Sequence, residues 1–133
     1  MRVKDKVVVV TGAGSGIGRA MSEKFVAEGA RQVIAVDINA ENAQQTADKL
    51  DCVAMTADVS RDEDIKRIIE DTENNIGPID LFCGNAGVGL GLSEQSPDQE
   101  WQMSWDINVM SHVYAARHLI PRMTERGGGY FLN

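Results

Sequence analysis

Four glycines crowd into one short run, VVVVTGAGSGIGRA, where Gly12, Gly14, Gly16 and Gly18 lie between an apolar β-branched stretch and a helical pattern. A diphosphate held at such a place needs backbone N–H groups aimed at its oxygens and no Cβ atoms in the way. Glycines in a strand-to-helix turn meet both needs, and the helix N-terminus adds a favourable dipole. No Gly-Lys-Ser/Thr follows, so the phosphate loop of nucleotide triphosphatases is excluded. The Gly-x-Gly-x-x-Gly dinucleotide fingerprint does not fit either, because the last glycine falls at position 18. The spacing present is Thr-Gly-x-x-x-Gly-x-Gly, through Thr11, Gly12, Gly16 and Gly18. A tight connection alone would also use glycines, so further residues must decide.

Asp37 is the first of these. It closes the next apolar run, 19 residues beyond Gly18, where an acidic side chain can accept hydrogen bonds from the hydroxyls of an adenosine ribose. Asp58-Val59-Ser60 closes the third run, Asn85-Ala86-Gly87 the fourth, and Asn108 stands on a long helical stretch, WDINVMSHV. Taken singly, each has an ordinary alternative as a turn, helix-start or solvated residue.

The elements that must position these residues alternate along the chain. The runs Val7–Thr11, Gln32–Asp37, Cys52–Ala57 and Ile79–Gly84 lack polar alternation, as strands buried on both faces of a parallel sheet do. Between them the apolar spacing predicts helices. The first carries Ile17, Met21 and Phe25 and stops at Gly29; the second carries Ala43, Ala47 and Leu50 and is capped by Asn39. The third opens on a Ser60-x-x-Glu63 capping box, buries Ile65, Ile68, Ile69 and Ile76, and ends at Gly77-Pro78. The fourth starts at Ser96-Pro97-x-Gln99 and runs to about Arg126, with Ile107, Met110, Val113, Tyr114 and Ile120 spaced for burial and Pro121 kinking or shortening it. The order β-α-β-α-β-α-β-α-β, ending in Tyr130–Asn133, implies a doubly wound parallel α/β sheet of Rossmann type, one domain over residues 1–133, incomplete on its C-terminal side.

Bulk properties narrow the function. The net charge of −7 argues against nucleic-acid and anionic-membrane partners. Nothing approaches the ~20 apolar residues of a membrane span. Cys52 and Cys83 stand 31 residues apart in apolar runs, as buried free thiols do, which suits a reducing, cytoplasmic location. His112 and His118 have no cysteine or carboxylate at metal-ligand spacing, so no metal site is expected.

The glycine spacing, Asp37, Asp58-Val59, Asn85-Ala86-Gly87 and Asn108, in this order on these element types, resemble the short-chain dehydrogenase/reductase family from Lys6 to Asn133. The resemblance implies NAD as cofactor, with contacts from Gly12, Ser15, Gly16, Ile17, Gly18, Asp37, Asp58, Val59, Asn85, Ala86 and Gly87. It implies Asn108 as the catalytic asparagine, holding a water that links an active-site lysine to solvent. The reaction implied is hydride transfer between nicotinamide and a small alcohol or ketone. The family's serine is expected a few residues beyond Asn133, and its Tyr-x-x-x-Lys is absent: Tyr114 is followed four places later by His118, and Tyr130 by three residues only. The chain is therefore expected to be the N-terminal cofactor portion of a longer oxidoreductase and inactive alone. A non-catalytic dinucleotide-binding sensor on the same fold is the alternative. Trp101, Trp105, Met103, Met110 and Met123 are expected to pack helices or to line a homo-oligomer interface on the fourth helix, the role the resemblance implies. Leu81, Met110, Val113 and Ile120, with the edge strand Tyr130–Leu132, are expected to need cover from another chain.

Overall fold

The structure, a computed structural model, describes residues Met1–Asn133. Five parallel strands form one sheet in the order β3-β2-β1-β4-β5: β1 Val7–Thr11, β2 Gln32–Asp37, β3 Val53–Thr56, β4 Leu81–Cys83 and β5 Tyr130–Leu132. The helices are α1 Gly16–Ala27, α2 Ala40–Leu50, α3 Asp62–Asn75, α4 Asp98–Trp105 and α5 Ser111–Glu125, with a π-helical turn, Asp106–Met110, joining the last two.

The unbroken valine run explains the centre of this sheet. Val7 and Val9 face a core built with Ile34, Val36 and Phe82 and closed by Ile65, Ile68, Ile69, Ala115 and Leu119. Val8 and Val10 face the opposite layer, with Val33, Ala35, Leu81 and Cys83 under Met21 and Phe25. Both faces are covered, so β1 has no polar face to show. After β3 the chain crosses back over the sheet to pair β4 with β1, Val9 lying opposite Phe82. β1 and β4 thus send their following segments to opposite faces, and a crevice opens at their carboxyl ends.

Several sequence expectations meet the structure unchanged. Gly29 (φ +80°) ends α1 in a Schellman motif, with Ala30 N–H donating to Phe25 O at 3.0 Å and Gly29 N–H to Val26 O at 2.9 Å. Asn39 caps α2 by accepting from Asn42 N–H at 3.0 Å. Others need correction. Ser60 does not cap α3, which begins at Asp62 with Arg61 as its flanking residue; its hydroxyl donates instead to Asp58 Oδ1 at 2.7 Å. Ser96 does not cap α4 either, because Pro97 precedes the helix and the Ser96 hydroxyl accepts from Ser93 N–H at 3.3 Å.

The fourth helix runs without a break from Asp98 to Glu125, its pitch changing at the π turn, and Pro121 does not shorten it: α5 runs through Pro121 to Glu125. The π turn adds a residue that rotates the following helix relative to a uniform 3.6-residue reading. The buried stripe is therefore Ser111, Ala115, Leu119 and Met123. Ile107 and Tyr114 are only partly buried against it, and Val113 and Ile120 are exposed. Leu81, expected near uncovered surface, is buried under the α1 layer.

Candidate cofactor site

Thr11, the last residue of β1, ties the glycine turn to the end of β4. Its buried hydroxyl accepts from the N–H groups of Asn85 and Ala86, each at 3.0 Å, and the Asn85 amide donates back to Thr11 O at 2.9 Å. The turn can reach this close only without side chains. A Cβ on Gly12 (φ +66°) would stand 3.0 Å from Ala86 Cα, and one on Gly18 would stand 2.2 Å from Gly12 O. Gly16 (φ +51°) differs, because nothing lies within 4 Å of the position its Cβ would take. Gly16 also lines the crevice. Ser15, at the N-terminus of α1, makes no side-chain cap, so the first amides of a 12-residue helix are left for another acceptor.

A cavity of about 360 Å³ occupies this place. Its wall contains all the sequence-predicted contacts: Gly12, Ser15, Gly16, Ile17, Gly18, Asp37, Asp58, Val59, Asn85, Ala86 and Gly87. The four further lining residues are Ile38, Ala57, Val88 and Ile107, none of which the sequence places at the cofactor site. Ile38 had a signal, an apolar residue immediately after the acidic strand end, and it is 68% exposed. The lining holds two carboxylates and no Lys or Arg.

Asp37 is oriented by the backbone around it. Oδ2 accepts from Gly14 N–H at 2.8 Å and Oδ1 from Asn39 N–H at 3.0 Å. Each oxygen keeps a lone pair for a hydroxyl donor. Asp58 is held likewise: Oδ1 accepts from Ser60 N–H at 3.0 Å, and Asp58 N–H donates to Asp64 Oδ2 at 2.9 Å. That donor, with the Arg67 guanidinium, holds the Asp64 carboxyl below its usual range against a smaller opposing effect of burial.

Asn108 sits in the π turn beside this wall but does not line the cavity. Its side chain pairs with one residue, accepting from Val88 N–H and donating to Val88 O, both at 2.9 Å, which leaves one amide N–H and one oxygen lone pair free. A Cβ on Gly87 would come within 3.1 Å of its Oδ1. Asn108 thus fixes the segment leaving β4, and π turns of this kind recur at functional sites.

Residues 6–133 match the sequence profile described as short chain dehydrogenase. The chain belongs to the short chain dehydrogenase family. It is 37% identical, over 96% of its length, to 1-deoxy-11-beta-hydroxypentalenate dehydrogenase from Streptomyces exfoliatus, of which it covers 49%. The fold superimposes on a 7α-hydroxysteroid dehydrogenase complexed with NADH and 7-oxo glycochenodeoxycholic acid, with a TM-score of 0.91, 26% identity, and coverage of 98% of this chain and 52% of that one. A ribose-5-phosphate isomerase from Brucella melitensis matches with the same TM-score and identity, covering 98% of this chain and 51% of that one. The chain spans about half the length of the curated relatives it matches.

In this short chain dehydrogenase chain the remaining polar candidates lie away from the cavity. His118 Nε2 is 2.9 Å from Asp62 Oδ1, joining α5 to α3. His112 packs over Gly84, where a Cβ would stand 2.4 Å from its Nδ1. Tyr114 packs against the core beneath the Arg117 guanidinium, 5.4 Å from the ring centroid. No group of three His, Cys, Asp or Glu side chains is close enough to hold a metal ion. Burial pushes the Cys83 thiol up to about 12 and, with the Asp51 charge, Cys52 up to about 11, so both are poor nucleophiles. No helix is long and apolar enough to cross a membrane.

Proposed function

We propose that residues 1–133 form the NAD-binding part of an oxidoreductase that moves hydride between nicotinamide and the carbon of a small alcohol or ketone. The observation that carries this reading is the pairing of Asp37 with Gly14 N–H at 2.8 Å, which sets a carboxylate beside a glycine turn at the switch point of the sheet. The residues fit a dinucleotide by shape and by chemistry. Gly16 lines the cavity with open space where a Cβ would stand, the first amides of α1 are uncapped, and apolar Ile38 and Val59 also line the cavity. Ser15, Gly16, Ile17 and Gly18 would hold the diphosphate, Asp37 the adenosine ribose, Asp58 and Val59 the adenine edge, and Asn85 to Gly87 the nicotinamide side. Nicotinamide, when bound, supplies the hydride acceptor or donor. The chain's own residues bind and orient: Asn108 holds Val88, and Asn85 holds Thr11, so both walls of the crevice are fixed before any ligand arrives.

The similarity to a steroid dehydrogenase complexed with NADH supports this reading. Preference for NAD over NADP follows from Asp37 and from the absence of any basic residue in the lining. Proton transfer to a substrate oxygen needs a group these 133 residues lack, since they contain no Tyr-x-x-x-Lys. Residues 1–133 alone should therefore turn over nothing. We assign the protein to a reducing, cytoplasmic compartment on its two unreactive thiols, and to a homo-oligomer through the apolar stripe on α4 and α5. The full-length protein tests the reading directly: given NAD and a panel of secondary alcohols, it should form reduced nicotinamide. No turnover with any alcohol or ketone, in either direction, would leave the non-catalytic binding protein as the better reading.

A further inference from the structure

Ala13 and Gly14, at the bend of the glycine turn, have every backbone polar group engaged from outside the turn. Ala13 N–H donates to Val36 O at 2.9 Å and Gly14 N–H to Asp37 Oδ2 at 2.8 Å. Their carbonyls are held by side chains from two helices. The Thr46 hydroxyl of α2 donates to Ala13 O at 3.0 Å, and the Arg19 guanidinium of α1 donates through Nη2 to Gly14 O. The two side chains also meet each other, Arg19 Nε donating to Thr46 Oγ1 at 3.0 Å. Thr46 is 1% exposed, although a hydroxyl on a surface helix usually points to water. With two peptide groups fixed in this way, the orientation of the next amides, Ser15 to Gly18, is set as well.

From this arrangement we infer that Arg19 and Thr46 are positioning residues for a diphosphate, acting through the glycine turn without touching the ligand. This rests on the cofactor reading above. The inference has an electrostatic side: a diphosphate would enter a cavity whose wall carries Asp37 and Asp58 and no basic residue. Arg19, bonded directly to the turn, brings the positive charge nearest to it in the hydrogen-bond network. The guanidinium therefore fixes the amides in place and offsets the two carboxylates. Lysine could supply the charge but not the fork that reaches both Gly14 O and Thr46.

The test compares binding of NAD, ADP-ribose and adenosine to the full-length protein and its Arg19→Met, Thr46→Val and Thr46→Ser variants, by calorimetry and, for the weak adenosine, by NMR titration. Arg19→Met should weaken NAD and ADP-ribose roughly tenfold, the scale of a charge-assisted hydrogen bond, and adenosine less than about twofold. Thr46→Val should weaken ADP-ribose about threefold, and Thr46→Ser, which keeps the hydroxyl, should restore it. Equal losses for ADP-ribose and adenosine would mean a merely structural role and overturn the inference. Unchanged ADP-ribose affinity in both Arg19→Met and Thr46→Val would do the same. A wild-type protein that binds neither NAD nor ADP-ribose would overturn the cofactor reading itself, and this inference with it.

Discussion

Asn108 and Val88 are joined by two reciprocal hydrogen bonds of 2.9 Å, amide to carbonyl and N–H to amide oxygen. The pair fastens the π turn to the segment that leaves β4. Leu90 and Gly91 extend the same seam: Ser104 Oγ donates to Leu90 O at 2.8 Å and Gly91 N–H to Glu100 Oε2 at 3.2 Å. Residues 88–91 therefore form a pinned wall. Replacing Asn108 by Ala removes both bonds, and at about 0.5–1.5 kcal/mol each should cost the full-length protein about 1–3 kcal/mol. Chemical denaturation checks this; a loss of activity with no change in stability would instead place Asn108 in direct chemistry.

Gly16 and Gly18 should respond differently to alanine although only one residue separates them. Gly18→Ala drives a methyl to 2.2 Å from Gly12 O, a backbone atom that cannot swing away, and should cost about 3 kcal/mol or more. Gly16→Ala meets open space and pays only for its positive φ, about 1–2 kcal/mol, at a residue that lines the crevice. Thermal melts with and without NAD separate the two. Gly16→Ala should stay folded and lose NAD affinity, and equal destabilisation of both variants would contradict the geometry.

Much of this site was legible because the glycine spacing and the strand-end residues are short-range signals. Asp37 ends a strand whose length is set by an uninterrupted apolar run, so its place at the crevice followed from counting. Asn108 was placed on the right element, but its partner Val88 was not foreseeable, since a backbone group carries no sequence signal. The π turn was invisible for a related reason: it changes the helical phase without a proline or glycine to mark it. The larger residues Val113 and Ile120 drew the reading toward the wrong stripe, when the buried one uses Ser111 and Ala115 to let α5 approach. The Ser60 box failed because Asp58 sits two residues earlier and captures the hydroxyl. Arg19 and Thr46 carry no sequence signal, because the groups they hold are backbone carbonyls of the turn.

Acid should uncover the contribution of Asp64. Its carboxyl is held below the ordinary value of 3.8, first by Asp58 N–H and then by the Arg67 charge. A group depressed in the folded state stabilises fully above its unfolded pKa, and that contribution is lost as pH falls through the folded value. The difference in Tm between wild type and Asp64→Asn should thus be largest near neutrality and narrow as pH falls below the ordinary value of 3.8. A gap that widens with acid instead of narrowing would contradict the assignment.

The exposed stripe of Trp105, Val109, Val113 and Ile120, between 37% and 55% exposed, should be covered in a homo-oligomer. Glutamate at both Trp105 and Val113 should weaken association of the full-length protein at least about tenfold by placing charges in an apolar contact. Sedimentation over a concentration series decides it; an unaltered assembly would move the interface elsewhere.

Asp37 bears most directly on the central claim, since it would meet the ribose 2′ position where NAD and NADP differ. A like-charge approach near 4 Å costs roughly 1–4 kcal/mol for effective dielectrics between 80 and 20. Because Asp37 also holds Gly14 and Asn39 N–H, Asp37→Asn is the cleaner probe: it removes the charge while keeping an acceptor for one of them. Calorimetric titration of the full-length protein and this variant with NAD and NADP is the measurement. Wild type should bind NAD at least about tenfold more tightly than NADP, and the gap should shrink in Asp37→Asn. Equal affinities in the wild type, or a gap that Asp37→Asn leaves untouched, would contradict the NAD-binding assignment.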